Sequence, residues 1–205
     1  MAIKDTTRAP RRKTNIIDRV QRDMQRQGYA ARSAASRRWL LGMTKDLKPN
    51  ATRLINNVAP STKQVPQPRP GMMYFFNYDP KHKETLPYYD RYPLIICVKL
   101  LKDGMHGLNL HYLPPMQRAG LLTKLEEVAS NTLWNENTKL NISYRLLTSF
   151  SRFKEFKPCF KRYLTNHVRS AYLFIPSQSW DVAVFLPLAR FEKKTQHHVW
   201  YGRDA

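Results

Sequence analysis

The side chains best able to do chemistry in this chain are arginines. Arg19, Arg22, Arg26, Arg32, Arg37 and Arg38 lie between the apolar positions of two helical stretches, and Arg8, Arg11, Arg12 and Lys13 precede them around Pro10. A guanidinium donates in a fixed planar fork that matches phosphate oxygens, so an arginine-rich helix suits a phosphate surface. The plainer reading is a solvated helix face. Against it stands the shortage of acids, with 16 Lys+Arg and 4 Asp+Glu in residues 1–70. Arg152, Lys154, Lys157, Lys161 and Arg162 form a second basic group within SRFKEFKPCFKRYLTNHV. Charge interleaved with rings serves nucleic acid, the charge meeting phosphates and the rings meeting exposed bases. Rings at helical spacing more commonly face a core. Phe160, Tyr163, Leu164 and Val168 are expected to form the inner face of a helix started by Pro158.

Catalytic patterns are not seen. The seven glycines include neither GxGxxG nor GxxxxGK spacing. His106 and His111 are five apart on an expected strand and should face opposite sides, which argues against a metal site. His197 and His198 read as a solvated pair in the tail. A nuclease needs clustered carboxylates to hold a divalent metal. The best acids, Asp79, Asp90 and Asp103, fit turn or loop roles. Ser149 and Ser151 lack the context of a nucleophile elbow. The chain is expected not to be an enzyme and to need no cofactor.

The net charge of +20 over 205 residues makes a polyanion the expected partner: nucleic acid, or else an acidic protein or lipid surface. Cys97 and Cys159 are the only cysteines. They make neither a disulfide framework nor a zinc cluster, and are expected reduced and buried. No run approaches the ~20 apolar residues of a membrane span. MAIKDTTRAPRRK lacks the apolar segment of a signal peptide. A soluble protein made inside the cell is expected.

The elements that must hold the basic groups can be read in outline. Residues 1–48 read as a basic arm followed by arginine-rich helices. Asn15 is a good N-cap, Ile16, Ile17, Val20 and Met24 repeat at helical spacing, and Gly28 breaks or kinks the helix. Ala31, Ala35, Trp39 and Met43 mark a face of the second helix, which Pro49 ends. Residues 49–70, with five prolines, read as a linker. Residues 71–190 read as the core domain, with inserted helices. Met72–Tyr78 is the first strand, followed by a polar loop to Pro93. Leu94–Leu101 is a strand buried on both faces, Asp103-Gly104 supplies the positive φ of a tight hairpin, and Met105–Leu113 returns. Pro114-Pro115 opens a helix whose stripe is Leu121, Leu122, Leu125 and Val128. Leu140–Leu146 alternates like a strand, whereas 145–150 equally suits a helix. Ala171–Ile175 and Trp180–Leu186 read as a closing strand pair. Residues 191–205 read as a loosely attached basic tail with Trp200 as a docking point. The expected fold class is α+β: a small SH3-like β-barrel core with flanking helices and an extended, helical basic N-terminal arm.

YFFNYDPKHKETLPYYDRYPLIICV, GLNLHYLPPMQRAGLL, SRFKEFKPCFKRYL and the W-x-x-A-x-F-L-P of Trp180–Pro187 together carry a resemblance over about residues 70–190. They resemble small basic virion proteins of T-even-type contractile-tailed phages, and within that set those that protect DNA ends during head completion. The resemblance implies a virion protein, made in the host cytoplasm, bound at the ends of packaged double-stranded DNA and shielding them from a host exonuclease. It assigns no DNA-contacting residue. Two functions remain open on the residues: sequence-independent DNA binding without catalysis, or assembly of the phage neck, tail or baseplate by docking the basic N-terminal arm on other virion proteins.

Overall fold

The computed structural model describes residues 15–56, 64–129, 132, 133, 135, 143–149, 152 and 156–202. The basic arm, with Arg8, Arg11, Arg12 and Lys13, lies outside them, as does Lys154. The architecture is α+β. Six antiparallel strands form one sheet in the order β1 (Gln64–Val65), β7 (Tyr172–Ile175), β2 (Met73–Phe75), β4 (Leu94–Leu101), β5 (Gly104–Asn109), β6 (Phe160–Leu164). A second pair joins β3 (Tyr89–Asp90) to β8 (Phe191–Glu192).

Pleat alternation divides the sheet's side chains between two clusters. Met73, Phe75, Leu94, Ile96, Val98, Leu108, Leu173 and Ile175 face the helices. Tyr74, Phe76, Tyr78, Ile95, Cys97, Met105, Tyr163 and Tyr172 form a second cluster on the opposite face. There the sheet curls toward itself. Phe76 meets both Tyr163 of β6 and Tyr172 of β7 edge-on, at centroid separations of 5.4 and 5.1 Å. Tyr78 reaches Tyr163 at 4.9 Å, and its hydroxyl accepts from the Leu164 amide. A bulge between Cys97 and Lys99 adds bend to β4. The expected SH3-like barrel is not closed among the described residues. The outer strands β1 and β6 do not pair, so the curl ends with two open edges.

The hairpin of β4 and β5 stands where expected, for a different reason at Gly104. The described glycines with left-handed φ are Gly28 and Gly71, not Gly104. A Cβ at Gly104 would stand 2.0 Å from the Tyr163 carbonyl oxygen of β6. Close strand approach therefore demands glycine there.

The helices are α1 (Ile16–Arg26), α2 (Ala34–Thr44), α3 (Ala51–Asn56), α4 (Pro115–Ala129), α5 (143–149), α6 (Trp180–Phe185) and α7 (Gln196–Tyr201). Asn15 caps α1 by accepting from the Asp18 amide, and Gly28 follows it at φ +76°. The expected strand at Trp180–Leu186 is helix α6 instead, in contact with α1, α2 and α4. Asp181 through Phe185 are all buried. A helix covered on every side has no polar stripe, so its Val182, Val184, Leu186 spacing imitates a strand. The reverse error falls on Phe160–Leu164, expected helical but the edge strand β6. Lys157-Pro158-Cys159 makes only a 3-10 turn before it. The chain at 110–112, expected as strand, is also a 3-10 turn. Ala34–Thr44 buries Ser36, Leu40 and Thr44 rather than the expected alanines. Residues 49–70, expected as linker, contain α3, with Leu54 and Ile55 buried, and β1 at the sheet edge. The tail is docked, not loose. β8 pairs with β3, Val199 is fully buried, and Trp200 donates from Nε1 to the His111 carbonyl at 2.9 Å.

A buried polar centre ties these parts together. Asp90 accepts at Oδ1 from the amides of Tyr92 and Arg190, at 3.1 and 3.2 Å. Its Oδ2 accepts from Asn109 Nδ2 at 3.1 Å and faces His111 Nδ1 at 2.7 Å. Asn109 Nδ2 also donates to the Tyr163 hydroxyl. Arg118 is 2% exposed and donates to three carbonyls: Leu113, Val184 and His111. Its guanidinium also lies over the Trp200 ring at 5.4 Å. Burial pulls the Arg118 guanidinium down to about 9, and the nearby Asp90 charge works in the opposite direction.

Arg118→Met keeps the stem's volume and strips donors from three carbonyls. The His111 carbonyl keeps its bond from Trp200, so two acceptors are orphaned and a stability loss of about 2 kcal/mol or more is expected, at roughly 1–3 kcal/mol for each. Chemical denaturation measures it, and an unchanged midpoint would show that the carbonyls find other donors. Burial lowers the His111 pKa below its ordinary value, with Asp90 opposing. A histidine depressed in the folded state contributes stability that is full above ~6.5 and is lost as pH falls through the folded value. Denaturation at pH 7.5 and 5.5 should show a smaller pH effect in His111→Gln than in the unsubstituted chain. The division at residue 70 is testable too. Ile17, Val20, Met24, Leu40, Leu54 and Ile55 share the main cluster with α4 and α6. A chain starting at residue 70 would bare that surface, and its thermal transition by circular dichroism is expected to be lower and broader, or replaced by aggregation.

Candidate nucleic-acid interface

The arginines of the N-terminal helices separate into three groups by where the helices place them. In α1 the buried positions are Ile17, Val20 and Met24. Arg19, Arg22 and Arg26 each follow one of these by two residues, a rotation of about 200°. They therefore make a single exposed stripe on the side opposite the core. Their ties are weak. Arg22 Nε donates to its own helix at the Asp18 carbonyl, 3.2 Å away, and Arg26 lies 3.8 Å from Asp23 on the surface. Such an exposed pair contributes ~0–1 kcal/mol and exchanges readily for another anion. The stripe's bearing is fixed by Gln21 on the flank of α1, which accepts from the Ser179 hydroxyl at 2.7 Å.

Arg37 and Arg38 are neighbours in α2 and diverge by about 100°. Arg38 stays exposed. Arg37 turns inward, with its side chain 13% exposed. It donates to Thr123 Oγ1, to Glu126 Oε2 at 3.4 Å, and to Asp181 Oδ1 at 3.2 Å. It thus locks α2 to α4 and α6. Arg32 has left-handed φ of +65° and lies 3.2 Å from Glu126. A non-glycine residue in that region costs roughly 1–2 kcal/mol, which the ion pair helps offset. Burial raises the Glu126 carboxyl above the usual carboxylate range, against the pull of Arg32 and Arg37.

Among the described residues, the second basic group does not gather into one cation row. Arg152 and Lys157 are exposed. Lys161 places its ammonium 4.4 Å from the Tyr112 ring centre. Arg162 pairs with Asp103 across the β4–β5 turn at 2.7 and 2.9 Å, and holds that carboxyl below the usual range. Among the described residues, the interleaved rings pack against the core. Tyr163 is buried, and Phe160 packs against the main cluster.

Three further cations were not singled out in the sequence. Lys48, Arg91 and Arg190 line a cleft of about 500 Å³ with Asn50, Thr52, Tyr92 and the 187–189 segment. They are far apart in the chain, and the pairing of β3 with β8 joins two of the three segments. No local pattern marks them. Among the described residues, no group of three or more His, Cys, Asp or Glu is placed to hold a metal ion. No helix among them is long and apolar enough to cross a membrane.

No curated protein and no solved structure matches the chain. A family model does, over residues 4–201, and its description is "Phage T4 terminal DNA protecting protein". That span takes in both the arginine-rich helices and the curled sheet. With nearly the whole chain covered, this protein belongs to the phage T4 terminal DNA protecting protein family.

Proposed function

We propose that this protein binds the ends of packaged double-stranded DNA without catalysis and shields them by occlusion, in completing the phage head. Family membership supports DNA ends as its target. The observation that carries the mode of binding is the outer stripe of α1. Arg19 to Arg26 spans ~10 Å along the helix axis, comparable to three phosphates at ~3.4 Å of rise per strand. Arg38 and the basic residues at 8–13 extend the same positive region in sequence. Such interactions read backbone rather than bases, so binding is independent of sequence. The protein acts in the virion and is made in the host cytoplasm. Docking of the same stripe on acidic neighbours at the head, neck or tail is the competing use.

Binding to duplex should weaken steeply with salt, and terminated duplex should resist an added exonuclease. In Arg19→Gln/Arg22→Gln/Arg26→Gln, helix propensity is nearly unchanged. The slope of log affinity on log salt should shrink by up to ~0.9 for each phosphate that is no longer neutralised, and exonuclease resistance should fall with it. Unchanged DNA binding with failed incorporation into virions would move the stripe to a protein partner. Arg37→Gln should behave in the opposite way. It should lose roughly 3 kcal/mol of stability, as when one member of a buried ion pair is removed, with an unaltered salt slope.

A further inference from the structure

The cleft lined by Lys48, Arg91 and Arg190 has a composition that the outer stripe does not explain. Its lining residues include three cations and no carboxylate. Arg91 stands 3.9 Å from Glu192, a loose surface pairing, and Lys48 and Arg190 carry no ion pair among the described residues. Thr52 and Tyr92 share a hydroxyl–hydroxyl hydrogen bond of 2.6 Å on the same wall. The other wall, Pro187 to Ala189, is apolar.

The walls are held from behind. The Arg190 amide donates to Asp90, and the Arg91 amide donates to the Arg190 carbonyl at 2.8 Å. The Tyr92 amide also donates to Asp90. The buried carboxylate thus sets the backbone from which two guanidiniums project, with the largely buried Tyr92 ring forming part of the cleft wall. A pair of guanidinium forks beside an ammonium is suited to a phosphate with several free oxygens. The space of about 500 Å³ is within the range of small-molecule pockets. It admits a nucleotide but not a duplex, whose major groove alone is ~12 Å wide. Continuous duplex can therefore lie only across the cleft's mouth. A strand terminus can enter it.

We propose that this cleft is a pocket for the terminal phosphate of a nucleic-acid strand, together with its nucleotide. The phosphate sits among Arg91, Arg190 and Lys48, and the sugar and base lie against Tyr92 and Leu188. The pocket distinguishes an end from the interior of the same duplex, a distinction that a phosphate-gripping stripe cannot make. It rests on the DNA-end reading above.

The test compares one short duplex in three forms: ends carrying phosphate, ends carrying hydroxyl, and ends closed by hairpin loops. The full chain should bind the phosphorylated form most tightly and the closed form least. Arg91→Gln/Arg190→Gln should reduce the preference for phosphorylated ends about tenfold or more, because charged hydrogen bonds disappear, while leaving the salt-dependent binding of closed duplex in place. Both side chains are exposed, and an unchanged melting temperature would confirm an intact fold. Titration with a deoxynucleoside monophosphate should give binding in the unsubstituted chain and none in the double variant. An end preference or nucleotide binding that survives both substitutions overturns the pocket alone. Equal binding of open and closed duplex by the unsubstituted chain overturns the DNA-end reading. Failure of the mononucleotide to bind, together with indifference to the terminal phosphate, overturns the pocket while leaving end binding by other side chains.

Discussion

Asp90 is a carboxylate with almost no access to water, and much of the molecule is arranged to satisfy it. An ionised carboxylate accepts and cannot donate, so each of its buried lone pairs needs a donor. The donors come from the segment that contains it, from Asn109 and His111 at the end of the central hairpin, and from Arg190 near the C-terminus. Arg118 supplies compensating charge close by, and its own donors are taken by three carbonyls from two segments, 111–113 and α6. Through the His111 carbonyl, which also accepts from Trp200, the last helix joins the same network. Replacing such a centre with apolar side chains is often tolerated energetically. Here it fixes where four chain segments meet, and it sets the backbone of the basic cleft.

Local signals in the sequence were reliable where one element met one boundary. Asn15 and Gly28 delimit α1, Pro115 opens α4, and the run Leu94–Leu101 is the central strand. The family resemblance was carried by motifs from the sheet and its flanking helices. The failures share a physical cause. Periodicity reports burial on one side, and both misread segments break that assumption. Trp180–Phe185 is covered all round, so it shows no helical stripe. Phe160–Leu164 is a charged edge strand next to a proline turn, and its rings at 160 and 163 match a helical spacing by coincidence. Charged side chains such as Lys161 and Arg162 are also what an exposed sheet edge uses to avoid pairing with another chain.

The arginines show the same limit for the site. Composition identified the basic region, and the heptad-like spacing of Arg19, Arg22 and Arg26 against Ile17, Val20 and Met24 already placed three of them outside. Nothing local distinguished Arg37 from Arg38. Their separation depends on Thr123, Glu126 and Asp181, which arrive from α4 and α6, far along the chain. The cleft was illegible for a stronger reason. Its cations stand at 48, 91 and 190, and only tertiary folding makes them neighbours. The barrel expectation was half right in its physics: the aromatic cluster does curl the sheet, but among the described residues no strand links β1 to β6.

The sheet order has a consequence for when this protein can become itself. β7 lies between β1 and β2, so an element made near residue 172 separates two made before residue 76. α6, against which α1 and α2 pack, follows at residue 180. During synthesis, the arginine-rich helices leave the ribosome long before the surfaces that bury their apolar stripes exist. Long-range pairings of this kind slow folding, because loop closure must precede the interactions that stabilise it. Throughout that interval the nascent chain is a basic, half-apolar segment beside the RNA of the ribosome itself. Its basic side chains are then open to polyanions before the fold has chosen which of them will face outward.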